Sequence, residues 1–183
     1  MTGLALLAEE VGINERTLRR AVGQGTLYGS RPTPRKLELP LSEREYVRRS
    51  WGLLATLREA LRTEQSVGFA LLFGSAAMGV DTPGSDVDML VDLRDPSFER
   101  VVDLSTKLTR LVGRPVDVVE LKDAETDPSF LAQALGDGRV LVDREGLWPR
   151  LRDREPGLRR RGSRRDARRL HSALAGIDRL LAS

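Results

Sequence analysis

The feature that most constrains the fold is a short apolar run that ends in a glycine–serine pair. Val67–Phe73 is seven residues without a charge, which is typical of a buried strand, and Gly74-Ser75 follows at once. Helix-forming residues come next, so we expect Ser75 to cap a short helix. Glycine lets phosphate oxygens approach the backbone, and the free N–H groups of a helix start attract them. The pair therefore predicts a phosphate-binding turn at a strand end.

Two aspartates open a second predicted strand, Asp86–Leu93, directly after the Gly84-Ser85 turn. Successive strand side chains point to opposite faces, so Asp86 and Asp88 share one face. The apolar residues of the other face can enter the core: Val87, Met89, Val91 and Leu93. Magnesium prefers one or two protein carboxylates together with substrate phosphates. The spacing therefore predicts a Mg²⁺ clamp beside the phosphate-binding turn.

A third aspartate lies on a third predicted strand. A helix is expected from about Ser97 to Val112, and after a turn at Gly113 the strand 114–121 has Asp117 between two valines. Burying that carboxylate unpaired would be costly, so it needs a metal, hydrogen bonds or solvent. Placed beside the second strand, Asp117 completes a three-carboxylate cluster. Its expected roles are metal ligand and general base toward an acceptor hydroxyl.

Together these motifs resemble the nucleotidyltransferase superfamily related to DNA polymerase beta, in particular its minimal branch. The resemblance covers about residues 67–142 and implies a mixed sheet covered by helices. It also implies a Mg²⁺-bound NTP and transfer of an NMP group to an acceptor, with release of pyrophosphate. The residues that the resemblance assigns are Asp86, Asp88 and Asp117 at the metal, and Gly74, Ser75 and Ser85 at the nucleotide.

One position departs from the pattern of that superfamily. Many relatives have an arginine where this chain has Met78, so a positive charge that would contact triphosphate is missing. Either another arginine substitutes, with Arg94 and Arg114 as candidates, or the site has low activity. The sequence leaves both alternatives open.

The N-terminal segment has a different signature. Two short predicted helices meet at Gly12, and Asn14 is a natural N-cap for the second helix. The segment resembles a helix-turn-helix, although such helix pairs also serve as plain packing units. Residues 30–36 are a basic wing or a proline-stiffened linker. In the DNA-binding interpretation the residues that face the groove or its phosphates are Arg16, Thr17, Arg19 and Arg20.

The predicted fold class is α+β. A nucleotidyltransferase-type mixed sheet covered by helices is preceded by a small all-α helix-turn-helix domain, with or without a wing, and followed by a basic C-terminal helix. The predicted divisions are 1–40 for the DNA-binding domain, 41–64 for a connecting helix, 65–145 for the nucleotidyltransferase domain and 146–183 for an arginine-rich segment. Ser42 is predicted to cap the connecting helix, with Glu45 completing a capping box.

The charge is strongly partitioned along the chain. Residues 1–64 carry a net +3, residues 65–145 carry −7, and residues 146–183 carry +7. From Gly157 an amphipathic or interrupted helix is expected, with an apolar face of Leu158, Leu170, Leu174, Ile177 and Leu181. Three interpretations of its arginines remain open: contact with nucleic acid, contact with an acidic protein surface, or exposure to solvent alone. His171, the single histidine, is interpreted as a surface residue.

Composition excludes several classes of protein. There is no cysteine, so disulfides and thiolate metal sites are excluded. No apolar run approaches twenty residues and no signal-like N-terminus is present, so we expect a cytoplasmic protein without membrane contact.

Two functional hypotheses follow. The first is a Mg²⁺-dependent nucleotidyltransferase fused to a DNA-binding module, with antitoxin-like autoregulation, whose acceptor is a hydroxyl of a protein, such as a toxin, or of an RNA end. The second is a DNA-binding regulator whose inactive nucleotidyltransferase fold binds a nucleotide or a partner. A symmetric homodimer is compatible with either hypothesis.

Overall fold

A computed structural model of the chain describes residues 3–33 and 36–181, with side chains described as far as Arg165. The elements, in chain order, are α1 (Gly3–Glu10), α2 (Glu15–Gly23), β1 (Ser30–Thr33), β2 (Lys36–Glu38), α3 (Leu41–Thr63), β3 (Val67–Phe73), α4 (Gly74–Met78), β4 (Val87–Leu93), α5 (Phe98–Val112), β5 (Val116–Glu120), α6 (Leu121–Ala124), α7 (Pro128–Asp137), β6 (Arg139–Asp143) and α8 (Leu147–Leu181).

Four of the strands form one mixed sheet in the order β5-β4-β3-β6. The β4–β5 pair is parallel, whereas β3 pairs antiparallel with both β4 and β6. The end of β3 therefore lies beside the beginning of β4, and β5 begins at the same end of the sheet. This arrangement confirms the predicted α+β class and its mixed sheet.

Helices cover both faces of this sheet. Alternate residues of β4 pack on one face, in a core shared with α3 and α5, namely Val87, Met89 and Val91. Leu90 faces the other way, into a second core formed with α6, α7 and α8. The predicted inward face of β4 is therefore confirmed. Asp88 has the parity of Leu90 and lies on the second face, at the strand end.

The N-terminal helix pair forms as predicted. Gly12 has a positive φ of 70°, and the side chain of Asn14 accepts a hydrogen bond from the backbone N–H of Thr17 at the start of α2. Leu18 and Ala21 are fully buried in the core that continues into α3. The strands β1 and β2 form an antiparallel ribbon after the pair, at the position expected for a wing or linker.

Two predicted helix caps are wrong. The helix α3 begins at Leu41 with Pro40 as its N-cap residue and no side-chain cap, so Ser42 and Glu45 do not form a capping box there. The helix α4 likewise begins at Gly74 with Phe73 at the cap position. In both cases the helix starts two residues earlier than predicted, which places the serine inside the first turn.

The C-terminal helix α8 begins at Leu147, ten residues before the predicted start, and continues through Pro156. Leu151 and Leu158 are buried against the second core, which anchors the first part of the helix. The side chains of the rest of the predicted apolar face lie outside the described residues, as does that of His171: Leu170, Leu174, Ile177 and Leu181.

Within the described part of the chain, no helix has both the length and the apolar character needed to span a bilayer.

Candidate active site

Three aspartates approach one another where β4 and β5 begin. Asp88 and Asp117 are direct partners in the parallel register of these strands. Asp86 precedes β4 by one residue, so the predicted strand was one residue too long at this end. Asp88 is half-buried, while Asp86 and Asp117 are exposed. The structure thus brings together the three carboxylates that the sequence singled out.

The electrostatics of Asp88 reflect this crowding. Burial raises the pKa of its carboxyl group, and the charges of Asp117 and Asp86 raise it further. Among the described side chains, no lysine or arginine forms an ion pair with any of the three aspartates. The cluster therefore carries negative charge that no described lysine or arginine neutralises through an ion pair.

A divalent cation would supply the missing charge. In the described part of the chain, no three side chains of His, Cys, Asp or Glu are placed closely enough to hold a metal ion by themselves. Magnesium does not require such a set, because it keeps several waters and completes its shell with substrate phosphates. Two aspartates facing each other across β4 and β5, with a third beside them, fit that kind of partly open site.

Gly74 is fixed by both its backbone and its neighbour. Its φ is +70°, a conformation that other residues rarely adopt, and a Cβ atom built on it would collide with the carboxylate of Asp88. The first residue of α4 therefore lies directly against the aspartate of the neighbouring strand. This contact joins the predicted phosphate-binding turn to the carboxylate cluster.

The two predicted serines have different surroundings. Ser75 is half-buried in the first turn of α4, directly after Gly74. The Ser85 hydroxyl accepts the backbone N–H of Thr82 at 2.9 Å and shares a 3.0 Å hydrogen bond with the Thr82 hydroxyl. Ser85 therefore stabilises the 82–85 turn that leads into Asp86.

The arginines considered as substitutes at position 78 lie at opposite ends of the sheet. Arg94 follows the far end of β4, about 20 Å along the strand from Asp88, so it cannot serve the same site. Arg114 precedes β5 at the correct end, but its guanidinium pairs with Asp81 at 2.7 Å and donates to the Thr82 carbonyl. Met78 itself is 50% exposed.

Three side chains that sequence reasoning missed hold the C-terminal half of α4. The Tyr46 hydroxyl donates to the Ala76 carbonyl at 3.3 Å, and Arg139 Nε donates to the Ala77 carbonyl at 2.5 Å. Arg49 Nη1 donates to the Gly79 carbonyl at 2.9 Å. These donors satisfy carbonyls that a short helix leaves without partners. The helix that carries Gly74 is thereby fixed from α3 and from β6.

Arg139 is the centre of this support. Its guanidinium makes a bidentate pair with Glu43, at 2.6 and 3.1 Å, and both side chains are 5% exposed. It also lies 3.4 Å from the ring centroid of Tyr46 and 4.6 Å from that of Tyr28. The only sequence signal for this role was the position of Arg139 at the start of an apolar strand. Its partner Glu43 lies 96 residues away in the chain.

The predicted DNA-binding residues lie on α2, away from the carboxylates. Arg16 and Arg20 are exposed, whereas Arg19 forms an ion pair with Glu15 one turn earlier. The Thr17 side chain is hydrogen-bonded to Asn14 at 3.1 Å, as part of the helix cap. The structure therefore leaves Arg16 and Arg20 as the more accessible cations of this set.

Comparison with known proteins identifies the central region. Residues 55–146, half of the chain, match the family described as Polymerase beta, Nucleotidyltransferase. The chain belongs to this nucleotidyltransferase family. It is an α+β transferase whose substrate is a nucleotide.

Two curated relatives come from Methanocaldococcus jannaschii, and both are named as candidate protein adenylyltransferases. One is 39% identical over 75 residues, which are 39% of this chain and 74% of the relative. The other is 32% identical over 73 residues, which are 38% of this chain and 73% of the relative.

Solved structures with a similar fold include a toxin–antitoxin crystal structure with AMP-PNP, at 20% identity and a TM-score of 0.48. The match covers 70% of this chain and 98% of the other. Another is a tri-AMPylated HEPN toxin of Shewanella oneidensis in complex with an MNT antitoxin, at 18% identity and a TM-score of 0.46. This second match covers 72% of this chain and 98% of the other.

Proposed function

We propose that the chain is a Mg²⁺-dependent adenylyltransferase that transfers AMP from ATP to a hydroxyl group of another protein. The observation that carries the proposal is the un-neutralised cluster of Asp86, Asp88 and Asp117, with Gly74 packed against Asp88. Residues 65–145 form the proposed catalytic unit. The protein acceptor is supported by the names of the two curated relatives, which are 39% and 32% identical.

In this proposal Asp86, Asp88 and Asp117 would hold Mg²⁺, which would neutralise the phosphates and polarise the reacting phosphoryl group. The backbone at Gly74-Ser75 contacts the phosphates, and the Ser85 turn positions Asp86. The acceptor oxygen forms a bond to the α-phosphorus while the bond from the α-phosphorus to the bridging oxygen breaks, releasing pyrophosphate. Asp117, which is exposed, accepts the proton of the acceptor hydroxyl.

The test is incubation of purified protein with each α-labelled NTP, Mg²⁺ and extract of the native cell. We expect label from ATP on a protein band that survives denaturation and is released by phosphodiesterase but not by ribonuclease. Label on RNA would instead identify an RNA end as the acceptor and overturn the proposal of a protein acceptor. No transfer above a folded Asp86→Ala/Asp88→Ala control would overturn the enzymatic proposal.

A second candidate function is supported by Met78. This exposed side chain stands where a positive charge would help to bind triphosphate, and Arg114 is already paired with Asp81. The nucleotidyltransferase fold would then bind a nucleotide without turnover. Stoichiometric ATP binding with Mg²⁺, but no label transfer to any acceptor, would favour this candidate over the first.

We also propose that residues 1–40 bind DNA through α2. The exposed guanidinium groups of Arg16 and Arg20, and the ribbon of β1 and β2 after the helix pair, support this assignment. A mobility-shift assay on the upstream region of its own gene tests it. Replacement of Arg16, Arg19 and Arg20 by alanine is expected to abolish the shift, and unaltered affinity would remove α2 from the interface.

The two activities combine into an antitoxin-like proposal, in which the acceptor protein is a toxin and the DNA-binding segment represses its own operon. Co-expression with the product of the neighbouring gene tests the acceptor directly. We expect modification of that product and relief of its toxicity, both lost in the Asp86→Ala/Asp88→Ala variant. If the product of the neighbouring gene is modified but has no effect on growth, the adenylyltransferase proposal would stand and the toxin proposal would be excluded.

A further inference from the structure

A cavity of about 520 Å³ lies between α2, α3, the strand β6 and the beginning of α8. Its volume is within the range of pockets that bind small molecules. It follows the outer edge of β6, whereas the carboxylate cluster lies at the β4–β5 side of the same sheet. The cavity is therefore separate from the candidate active site.

Cations dominate the lining of this cavity. The charged and aromatic side chains around it are Arg20, Arg58, Arg62, Arg144, Asp143 and Trp148. Among the described lining residues Asp143 is the single acid, and its two carboxylate oxygens accept the backbone N–H groups of Leu147 and Trp148. It caps the first turn of α8 and does not balance the arginines.

Of the four arginines that line the cavity, Arg58 gives the strongest indication of an anionic ligand. Its guanidinium donates to the Thr26 hydroxyl at 3.2 Å and to the Gln24 side-chain carbonyl at 2.6 Å, and both acceptors are neutral. Among the described side chains it has no acidic partner. Burial lowers the pKa of Arg58, and the charge of Arg20 lowers it further. A partly buried cation beside a second cation favours an anionic ligand.

The other two arginines are held in place or weakly paired. Arg144 donates to the carbonyls of Leu61, Arg62 and Glu64 at the end of α3, which fixes its guanidinium at the rim. Arg62 is 3.5 Å from Glu59 in an exposed pair, which contributes little binding energy. An anion entering the cavity would therefore gain charge contacts without displacing a strong ion pair.

We propose that this cavity is a second binding site, for a small polyphosphate anion of the nucleotide class. Arginine guanidinium groups match phosphate oxygens in geometry and charge, and Trp148 adds an apolar wall for the remainder of the ligand. An extended peptide along β6 fits less well, because Val140 already bonds with Gly25 and Thr26 at this edge. Arg58, on α3, is partly buried and bonded to Gln24 and Thr26 just after α2, which favours a small anion over the backbone of a duplex.

Calorimetric titration with ADP and with inorganic tripolyphosphate tests the proposal. The buffer contains EDTA, so that the carboxylate cluster has no metal and repels both ligands. We expect one site per chain, with the Kd raised at least tenfold in R58Q and in R20Q, and partly restored in R58K. The matched control R100Q, on α5 outside the cavity, is expected to change the Kd by less than twofold.

Titration of D88N tests this site independently of the proposed catalysis. Polyphosphate binding in EDTA is expected to persist in D88N, and it is expected even if the protein has no transfer activity. Thermal melting of R58Q and R58K shows whether each variant is folded. Equal affinity of R58Q, R100Q and the unmodified protein would overturn the proposal, as would no binding of either ligand. Binding of a DNA duplex alone, lost in R58Q, would assign the cavity to nucleic acid backbone instead.

Discussion

The carboxylate cluster and the Arg139–Glu43 pair differ in how their charges are balanced. Asp86, Asp88 and Asp117 meet at a partly open strand end, and the pKa of Asp88 is raised by burial and further by the charges of the other two aspartates. Arg139 and Glu43 are buried in a bidentate pair under two tyrosines. Charges that hold this fold together are neutralised inside the protein, and charges left unbalanced mark the positions where a ligand is expected.

The largest expected effect comes from removing one of the unbalanced charges. Asp88→Asn should lower transfer activity about 10³-fold, because a group that stabilises the reacting phosphates is lost. The measurement is label transfer from ATP at saturating Mg²⁺. Asp92→Asn is the matched control, since Asp92 is also a half-buried β4 acid with a raised pKa but lies at the other end of the strand. Equal losses in both variants would contradict the assignment of Asp88.

Breaking the balanced pair should act on stability. Arg139→Met leaves Glu43 buried without a partner, and we expect the free energy of unfolding to fall by about 3 kcal/mol in urea titration. Arg94→Met removes an exposed ion pair, in which Arg94 and Glu145 are 3.6 Å apart. This control should change the free energy of unfolding by less than about 0.5 kcal/mol. If the two variants are equally stable, the contact between α3, α4 and β6 does not support the fold as described.

A third change acts where the two regions meet. Gly74→Ala introduces a Cβ atom against Asp88 at a positive φ, so the turn or the aspartate must move. We expect activity to fall about 10²-fold, because small displacements of reacting groups are costly. Gly84→Ala, a turn glycine with open space around it, is the control and should keep most activity. Full activity of Gly74→Ala would show that this contact is not needed.

Met78→Arg supplies the missing charge and tests whether its absence weakens the binding of ATP. Position 78 is exposed at the end of α4, so the arginine can be accommodated, and a cation is favourable at a helix C-terminus. We expect the KM for ATP to fall about fivefold with kcat little changed, because an added cation attracts the anionic substrate. Met78→Gln is the neutral control. A gain that appears equally in Met78→Gln would not be electrostatic.

The smallest effect is on stability at neutral pH. The pKa of Asp88 is raised in the folded state above its ordinary value of 3.8. As pH rises, this carboxyl group therefore loses its proton in the unfolded chain before it does so in the folded protein. The free energy of unfolding therefore falls as pH rises through the window between the two pKa values. Without metal or nucleotide, Asp88→Asn should be more stable than the unmodified protein at pH 7, and the difference should narrow toward pH 4. A less stable variant would mean that Asp88 has a stabilising partner.

Local periodicity predicted much of the fold and of the candidate site. The strand parity that placed Val87 and Met89 in the core and Asp88 opposite them is confirmed, because alternation depends only on neighbouring residues. The Ser75 and Ser42 caps were wrong because a helix start can shift by two residues without any change in the hydrophobic pattern. Arg139 could not be assigned, since its partners come from α3, α4 and the N-terminal segment, which only tertiary packing brings together.

Anomalous scattering from crystals soaked with Mn²⁺ and a non-hydrolysable ATP analogue tests the central claim most directly. We predict a manganese peak between Asp86 and Asp88, about 2.2 Å from their carboxylate oxygens and beside the analogue phosphates. Asp117 should lie in contact with the same ion or with its water shell. A bound analogue whose phosphates and metal lie away from these aspartates would contradict the assignment of this cluster as the catalytic site.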